Sequence, residues 1–236
     1  DVNGDFYFIE MNTRLQVEHG VTEAVTGIDL VQWQLRIAAG EALGLQQEDI
    51  RFTGHSIQGR LCAEDPARDF MPQTGPVLAW QSDPSSRCDH ALQTGGEVSP
   101  WYDSLLAKVI VHAENRLAAC NKLADALGRT VLVGFEHNAL YLQRIARHPE
   151  FQGGQFGTGF LARHSEALLQ PQNTQVHALL AAVQCAFGTH NQAAWPSGLH
   201  GFSSTAALPR PVKLQVAGKT QEFMELLENG YSQEEL

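Results

Sequence analysis

Apolar and polar positions at the start of the chain predict a buried strand that leads into an extended polar segment. The run Phe6-Tyr7-Phe8-Ile9 is rich in aromatic and β-branched side chains, which favour a strand. After this run, polar side chains occupy every second position of residues 10–18. They are Glu10, Asn12, Arg14, Gln16 and Glu18. Alternate side chains of extended backbone share one face, so we predict that these five groups face the same way.

A helix is the alternative for residues 10–18. Glu10, Arg14 and Glu18 are also spaced four residues apart, and two ordinary surface ion pairs would explain them. Thr13 and Val17 are β-branched at positions where a solvated helix favours residues such as alanine or lysine. The pattern therefore favours the extended segment, and the helix stays open as the alternative.

Further along the chain, the pattern predicts helices around an antiparallel sheet. Asp29 is placed to cap a helix that runs through Ala39 and ends at Gly40. Short apolar stretches alternate with turn residues over 50–112, which indicates an antiparallel sheet. Asn115 is placed to cap a helix that continues to about residue 129, and residues 138–147 predict another helix.

The last third of the chain predicts shorter elements and a linker. A short helix is expected over 160–167, a linker at 170–173, a helix over 176–187 and a strand over 212–216. Together with the preceding sheet and helices, this arrangement predicts an α+β fold of mostly antiparallel sheet with flanking helices.

The side chains of residues 10–18 suggest chemistry on phosphate or carboxylate groups. Glu10 and Asn12 supply the oxygen ligands that Mg²⁺ prefers when it is shared with substrate phosphates. Arg14 presents a planar set of donors suited to bicarbonate or phosphate, and Glu18 could act as a general base on that anion. This combination predicts phosphoryl or carboxyl activation.

Three sequence motifs resemble those of biotin carboxylases, the ATP-grasp components of biotin-dependent acyl-CoA, pyruvate and urea carboxylases. The first is the string over residues 6–19, FYFIEMNTRLQVEH. The second is Gly54-His55 followed by GRLCAEDP at 59–66, and the third is WYDSLLAK at 101–108. They occur in the order of that family and cover about the first 165 residues, which implies the C-terminal part of a biotin carboxylase fold.

The resemblance implies a role for individual residues. Glu10 matches the family's ligand for Mg²⁺ or Mn²⁺ in the ATP site, with Asn12 beside it. Arg14 matches the arginine that holds bicarbonate, and Gln16 with the Val17 backbone lies where bicarbonate is hydrogen-bonded. Two residues complete the implied catalytic set: Glu18 as the base that deprotonates bicarbonate, and Arg60 as the cation that stabilises the biotin enolate.

Arg60 also has a simpler interpretation. Glu64 and Asp65 follow it closely in the sequence, so an ion pair at the end of a strand would explain its charge without any catalytic role.

The implied reaction is the ATP- and bicarbonate-dependent carboxylation of biotin held on a carrier domain. The family's glycine-rich lid, its phosphate-contacting lysines and its second metal-binding glutamate have no counterpart in these residues, nor does a Met-Lys-Met biotin-attachment motif. We therefore expect no turnover by this chain alone. The expected partners are the N-terminal portion of a biotin carboxylase, a biotin carrier and a carboxyltransferase subunit, within an oligomeric enzyme.

The resemblance also divides the chain into three regions. Residues 1–49 would form the end of the ATP-grasp domain, and residues 50–169 the biotin carboxylase C-terminal domain. Residues 170–236 would be a linker and the start of a domain that contacts the carboxyltransferase. The stretch 30–41 resembles the biotin-containing subunit of methylcrotonyl-CoA or geranyl-CoA carboxylases, whereas Gly20, in place of a proline, resembles urea carboxylases.

Composition and charge indicate which kinds of partner the chain can bind and where in the cell we expect it. The formal net charge is −10, with 26 acidic and 16 basic residues, which argues against a broad nucleic-acid or acidic-membrane surface. The four cysteines have no C-x-x-C spacing, and the ten histidines have no zinc-site spacing with them. No stretch approaches the roughly 20 apolar residues of a membrane span. We expect a cytoplasmic protein, or one of the mitochondrial matrix if the source is eukaryotic.

Two hypotheses of different class follow. In the first, the chain is an enzyme segment that supplies part of a biotin carboxylase active site, in an acyl-CoA or a urea carboxylase. In the second, it is a non-catalytic interaction module whose residues from Gln170 onward dock a carboxyltransferase. The presence of Glu10, Arg14, Glu18 and Arg60 favours the first, since a retired site would tolerate their loss.

Overall fold

Two helices precede a run of short antiparallel strands, and most of the remaining helices follow that run. The computed structural model describes residues 5–170, 212–216 and 219–223. Seven α-helices are described: α1 (His19–Thr26), α2 (Leu30–Ala38), α3 (Arg116–Arg129), α4 (Ala139–Arg147), α5 (Pro149–Gly153), α6 (Phe160–Arg163) and α7 (Ser165–Leu168). Short 3₁₀ helices lie at Gln47–Asp49 and Pro66–Arg68. The described strands are β1 (His55–Cys62), β2 (Glu64–Asp65), β3 (Met71–Pro72), β4 (Gly75–Pro76), β5 (Ala79–Gln81), β6 (Arg87–His90), β7 (Glu97–Val98), β8 (Leu105–Ala113), β9 (Val131–Val133), β10 (Val212–Val216) and β11 (Lys219–Phe223).

The main sheet has three antiparallel strands in the order β1-β8-β6. The long strand β8 lies in the middle, so β1 keeps one edge without a partner strand in this sheet. Along β1, Leu61 is fully buried whereas its neighbour Arg60 is exposed. Side-chain alternation along the strand therefore directs the guanidinium out of the core.

One face of this sheet is covered by α3. Asn115 caps that helix, since its Oδ1 accepts the Ala118 N–H at 2.9 Å. Apolar side chains from the sheet, α3 and α4 then form one core cluster. Its buried members are Ile57, Val109, Val111, Ala119, Cys120, Leu123, Ala124, Ala126, Leu127 and Ala146.

Most of the elements predicted from sequence are confirmed. The helix after Asp29 is present, and its cap is formed by Asp29 Oδ1, which accepts the Gln32 N–H at 2.7 Å. The antiparallel sheet over 50–112, the two helices after Asn115 and Asn138, and the strand over 212–216 are also present. Residues 160–167 form two short helices that meet at His164 instead of one. The α+β fold class is confirmed.

The buried strand predicted for residues 6–9 is wrong. These residues form no strand, and their side chains are exposed, from 74% at Tyr7 to 94% at Phe6. A strand needs a neighbour to satisfy its backbone groups, and the described residues provide none for this run. The alternative helix over 10–18 is also absent, because α1 begins only at His19.

Contacts within the chain define two units, Asp1–Leu169 and Gln170–Leu236. In the second unit, β10 and β11 pair as an antiparallel hairpin. The helix predicted over 176–187, and the linker apart from residue 170, lie outside the described residues. No helix among the described residues is both long enough and apolar enough to cross a membrane.

Candidate active site

Two segments that are far apart in the sequence meet at the start of α1. Glu18 is the N-cap residue of α1, and its carbonyl accepts the Val21 N–H at 3.0 Å. Its carboxylate does not cap the helix. Instead, Arg60 on β1 donates from Nη2 to Glu18 Oε2 at 2.8 Å. Both side chains are about half exposed, at 52% for Arg60 and 53% for Glu18, so a small anion can reach them.

The first helix is held on the main sheet, and this fixes the position of Glu18. Glu23, one turn further along α1, has a side chain that is only 9% exposed and pairs with Arg87 of β6 at 2.6 Å. Gly20 is buried against Ile110 of β8, and a Cβ built on this glycine would lie 2.4 Å from Ile110 Cδ1. The absence of a side chain at Gly20 thus allows a close approach of α1 to the sheet.

The pKa of Glu18 lies below its ordinary value. The main cause is a hydrogen bond from the residue's own backbone N–H, with further contributions from the Arg60 hydrogen bond and from the charges of Arg60 and Arg14. The carboxylate is therefore ionised at neutral pH, as an ordinary glutamate is, and this is the state in which it can accept a proton.

Arg60 is also held through its backbone. Asn138 is buried, at 6% exposure, and its Nδ2 donates to the Arg60 carbonyl at 3.1 Å. The Cys62 N–H donates to Asn138 Oδ1 at 2.9 Å, and the Asn138 N–H donates to the Cys62 carbonyl at 3.2 Å. The sequence did not predict these contacts with Arg60 and Cys62, because it indicated Asn138 only as the start of a helix.

The neighbouring acids do not engage Arg60 as the simpler interpretation proposed. Asp65 pairs with Arg68 at 2.6 Å, and Glu64 Oε1 accepts the Ser104 hydroxyl at 2.6 Å. Within the described residues, the ion pair of Arg60 is with Glu18.

The remaining candidate residues lie on the exposed segment before α1. Asn12 Nδ2 lies 3.5 Å from Glu10 Oε1, at the limit of a hydrogen bond, and Arg14 Nη1 lies 3.4 Å from the Leu15 carbonyl. The Gln16 carbonyl accepts the His19 N–H at 3.2 Å, and Val17 is half-buried. Among the described contacts, none joins the Glu10–Asn12 pair to the Glu18–Arg60 pair.

Glu10 and Asn12 offer donor atoms that fit a hard divalent cation. Their free oxygens are a carboxylate and an amide carbonyl, and both side chains are exposed. Mg²⁺ keeps several waters and uses few protein oxygens, so one carboxylate and one amide oxygen from nearby residues suit it.

A second group of potential ligands lies at the C-terminal end of the first unit. His148, Glu150 and His164 place ligand atoms within 4.8 Å of one another. Hydrogen bonds already use these atoms: His148 Nδ1 accepts the Glu150 N–H, and His164 and Arg163 both bond the Glu150 carboxylate. The contacts therefore explain this group as a helix cap and an ion-pair cluster, in line with histidines that pack on the surface.

Comparison with known proteins gives independent information on the family. Residues 58–163 match the model of the biotin carboxylase C-terminal domain. Residues 1–46 match the model described as the carbamoyl-phosphate synthase L chain, ATP binding domain. Glu18 and Arg60 therefore lie in the regions matched by two different models.

Individual relatives agree with these matches. The mouse mitochondrial methylcrotonoyl-CoA carboxylase subunit alpha is 46% identical over 177 residues, covering 74% of this chain and 25% of that protein. A second relative is the biotin carboxylase domain of Hydrogenobacter thermophilus 2-oxoglutarate carboxylase, whose structure was solved with MgADP, ADP and bicarbonate. It is 42% identical with a TM-score of 0.71, and the match covers 73% of this chain and 38% of that one. The urea carboxylase of Kluyveromyces lactis is also 42% identical, with a TM-score of 0.64, and covers 67% of this chain and 14% of that one.

The chain thus spans about a quarter of the length of the mouse relative. Its matched regions and its fold agree with the same assignment. The chain belongs to the biotin carboxylase family and carries that family's C-terminal domain together with part of its ATP-binding domain.

Proposed function

We propose that this chain supplies the bicarbonate- and biotin-facing part of a biotin carboxylase active site. The observation that carries the proposal is the 2.8 Å contact between Glu18 and Arg60. It brings an ionised carboxylate and a fixed cation together across 42 residues of sequence, from the ATP-binding region and the C-terminal domain. The reaction requires a base that deprotonates bicarbonate and a cation that stabilises the enolate of biotin, and this pair contains one of each.

The first half of the reaction activates bicarbonate. Arg14, Gln16 and the backbone of Val17 would hold bicarbonate, and Glu18 would remove its proton. The oxygen thus freed attacks the γ-phosphorus of ATP, and ADP leaves. Glu10 and Asn12 would hold a Mg²⁺ or Mn²⁺ ion, which supplies charge neutralisation at the phosphates when bound.

The second half carboxylates biotin. Carboxyphosphate breaks down to CO₂ and phosphate. The released phosphate would take the proton of the biotin ureido nitrogen, and that nitrogen would then form its bond to CO₂. Negative charge develops on the ureido oxygen when this proton leaves, and the Arg60 guanidinium would stabilise it until the bond to CO₂ forms. Its half-exposed position leaves room for the biotin ring to approach.

The same proposal assigns roles to the three regions of the chain. Residues 1–49 would complete the ATP-grasp domain, residues 50–169 would form the C-terminal domain, and residues 170–236 would lead to a carboxyltransferase subunit. An acyl-CoA carboxylase of the methylcrotonyl-CoA type is favoured by the mouse relative, which is mitochondrial. The compartment would then be the mitochondrial matrix in a eukaryote and the cytoplasm in a bacterium.

A urea carboxylase is the second candidate. Gly20 resembles that group, and the Kluyveromyces lactis enzyme is as identical to this chain as the 2-oxoglutarate enzyme is. The partner would decide between the candidates: an acyl-CoA carboxyltransferase subunit or a urea-processing domain.

A chimera tests the proposal. Residues 1–169 replace the corresponding residues of the Hydrogenobacter thermophilus biotin carboxylase domain, and bicarbonate-dependent ATP hydrolysis is measured with free biotin. We expect the chimera to turn over and Glu18→Gln to lower the rate by about 100-fold or more, the usual minimum for loss of a general base. Glu48→Gln, at an exposed carboxylate, is the control and should leave the rate unchanged. A Glu18→Gln chimera as active as its parent would remove the proposed base, and an inactive but folded parent chimera would favour the interaction module.

A further inference from the structure

Pairing of β1 with β8 becomes irregular just beyond Arg60. Pairing with β8 is regular from His55 to Leu61, and the register shifts between Leu61 and Cys62. The outer edge of β1 has no partner strand in the main sheet. The ladder therefore holds Arg60 from one side only, opposite Lys108, and leaves the outer edge around residues 60–62 to other contacts.

Asn138 supplies hydrogen bonds at this edge. Its side-chain amide acts as a peptide group would in a neighbouring strand, donating to the Arg60 carbonyl and accepting from the Cys62 N–H. Its own backbone N–H adds a third bond, to the Cys62 carbonyl. The backbone is thus held on both sides of residue 61, and residue 60 is held directly.

The chemistry of the contact requires an amide. The Cys62 N–H needs an acceptor and the Arg60 carbonyl needs a donor, and an asparagine side chain presents both in one plane. Aspartate would lack the donor, and serine is too short to bridge the two groups. Although Asn138 is the N-cap residue of α4, its side chain makes no capping hydrogen bond, so the amide serves β1.

We propose that Asn138 is a positioning residue that aims Arg60 at Glu18 and at biotin. The role of Asn138 toward biotin rests on the proposed function. Its role in maintaining the contact between Arg60 and Glu18 does not depend on that function.

The test measures the pKa of Glu18 in the 236-residue chain by following its ¹³C carboxyl signal through a pH titration. Asn138→Ser is the main variant, since serine is a good N-cap and preserves the start of α4 while removing the amide. We expect the Glu18 pKa to rise in Asn138→Ser in the same direction as in Arg60→Ala. Asn121→Ser is the control, because Asn121 is exposed on α3, and it should leave the Glu18 pKa unchanged.

A merely structural role would lower stability and leave the Glu18 pKa at its parent value, and that result would overturn the proposal. Should Asn138→Ser fail to fold, Asn138→Thr also removes the amide while filling more of its space, and a Glu18 pKa that does not rise in it would equally overturn the proposal.

Failure of the wider account has a different signature. If the Glu18 pKa stays unchanged in Arg60→Ala, the Glu18–Arg60 contact does not exist in solution. The observation that carries the proposed function would then be refuted. A rise in Arg60→Ala that is absent in Asn138→Ser would reject only the positioning role.

Discussion

Removing the charge of Asp83 should destabilise the first unit in a pH-dependent way. Asp83 is buried, at 3% exposure, in the turn before β6. Arg129, at the end of α3, donates to Asp83 Oδ2 from Nη2 at 2.8 Å and from Nε at 3.2 Å. Ser85 adds a hydroxyl bond at 2.7 Å and a backbone N–H bond at 3.1 Å. This carboxylate therefore links the turn to the helix that covers the sheet.

The size of the effect follows from the pKa of Asp83. Its hydrogen bond with Arg129, followed by its bonds with Ser85, lowers that pKa from 3.8 to about 2 despite the cost of burial. Each pKa unit corresponds to about 1.4 kcal/mol, so the ionised form contributes about 2 kcal/mol at neutral pH. Because the folded pKa is depressed, this contribution is complete above pH 3.8 and is lost as pH falls toward 2. About half of it should remain at pH 3.

Urea unfolding of the parent chain and of Asp83→Asn checks this at pH 7 and pH 3. The difference in free energy of unfolding should be about 2 kcal/mol at pH 7 and about 1 kcal/mol at pH 3. Asp125→Asn is the control, because Asp125 forms an exposed pair with Arg147 and should cost less than about 1 kcal/mol. A difference that stays constant with pH, or an Asp83→Asn cost no larger than that of Asp125→Asn, would refute the reasoning.

Two further substitutions test the packing that supports the site. Gly20→Ala should lower the free energy of unfolding by about 1 kcal/mol, because the new Cβ meets Ile110 Cδ1, and the cost should shrink in an Ile110→Val background that lacks this carbon. Equal costs in both backgrounds, measured by urea unfolding, would show that the two residues do not compete for space. Asn115→Ala should cost about 1 kcal/mol through loss of the α3 cap, and thermal unfolding that matches the parent would contradict that role.

Local signals were sufficient to predict the helices. The helices after Asp29 and Asn115 begin where a side-chain oxygen accepts a backbone N–H three residues later, an interaction contained within one turn. The central sheet was also predictable, since short apolar stretches separated by turn residues indicate antiparallel strands.

Features that depend on distant residues were not predictable from the pattern. The apolar run Phe6–Ile9 has the composition of a strand but lacks a partner among the described residues, and no property of the run itself reveals this. Asn138 bonds to residues 76 and 78 positions away, so its spacing carried no signal of the contact. The pattern of residues 10–18 suggested Glu18 as a base, but Arg60 came from the family resemblance, because periodicity along one segment says nothing about a strand that begins 37 residues later.

The central claim is that Glu18 deprotonates bicarbonate and Arg60 stabilises the biotin enolate within the same active site. The most direct test is the ratio of biotin carboxylated to ATP hydrolysed by the Arg60→Ala chimera, measured with labelled bicarbonate and free biotin, with Arg51→Ala as the control. The account predicts that this ratio falls by about 100-fold or more, as expected for loss of a cation at a developing oxyanion. Bicarbonate-dependent ATP hydrolysis should stay within about tenfold of the parent rate. An Arg60→Ala chimera that carboxylates biotin with the parent's ratio would contradict the account.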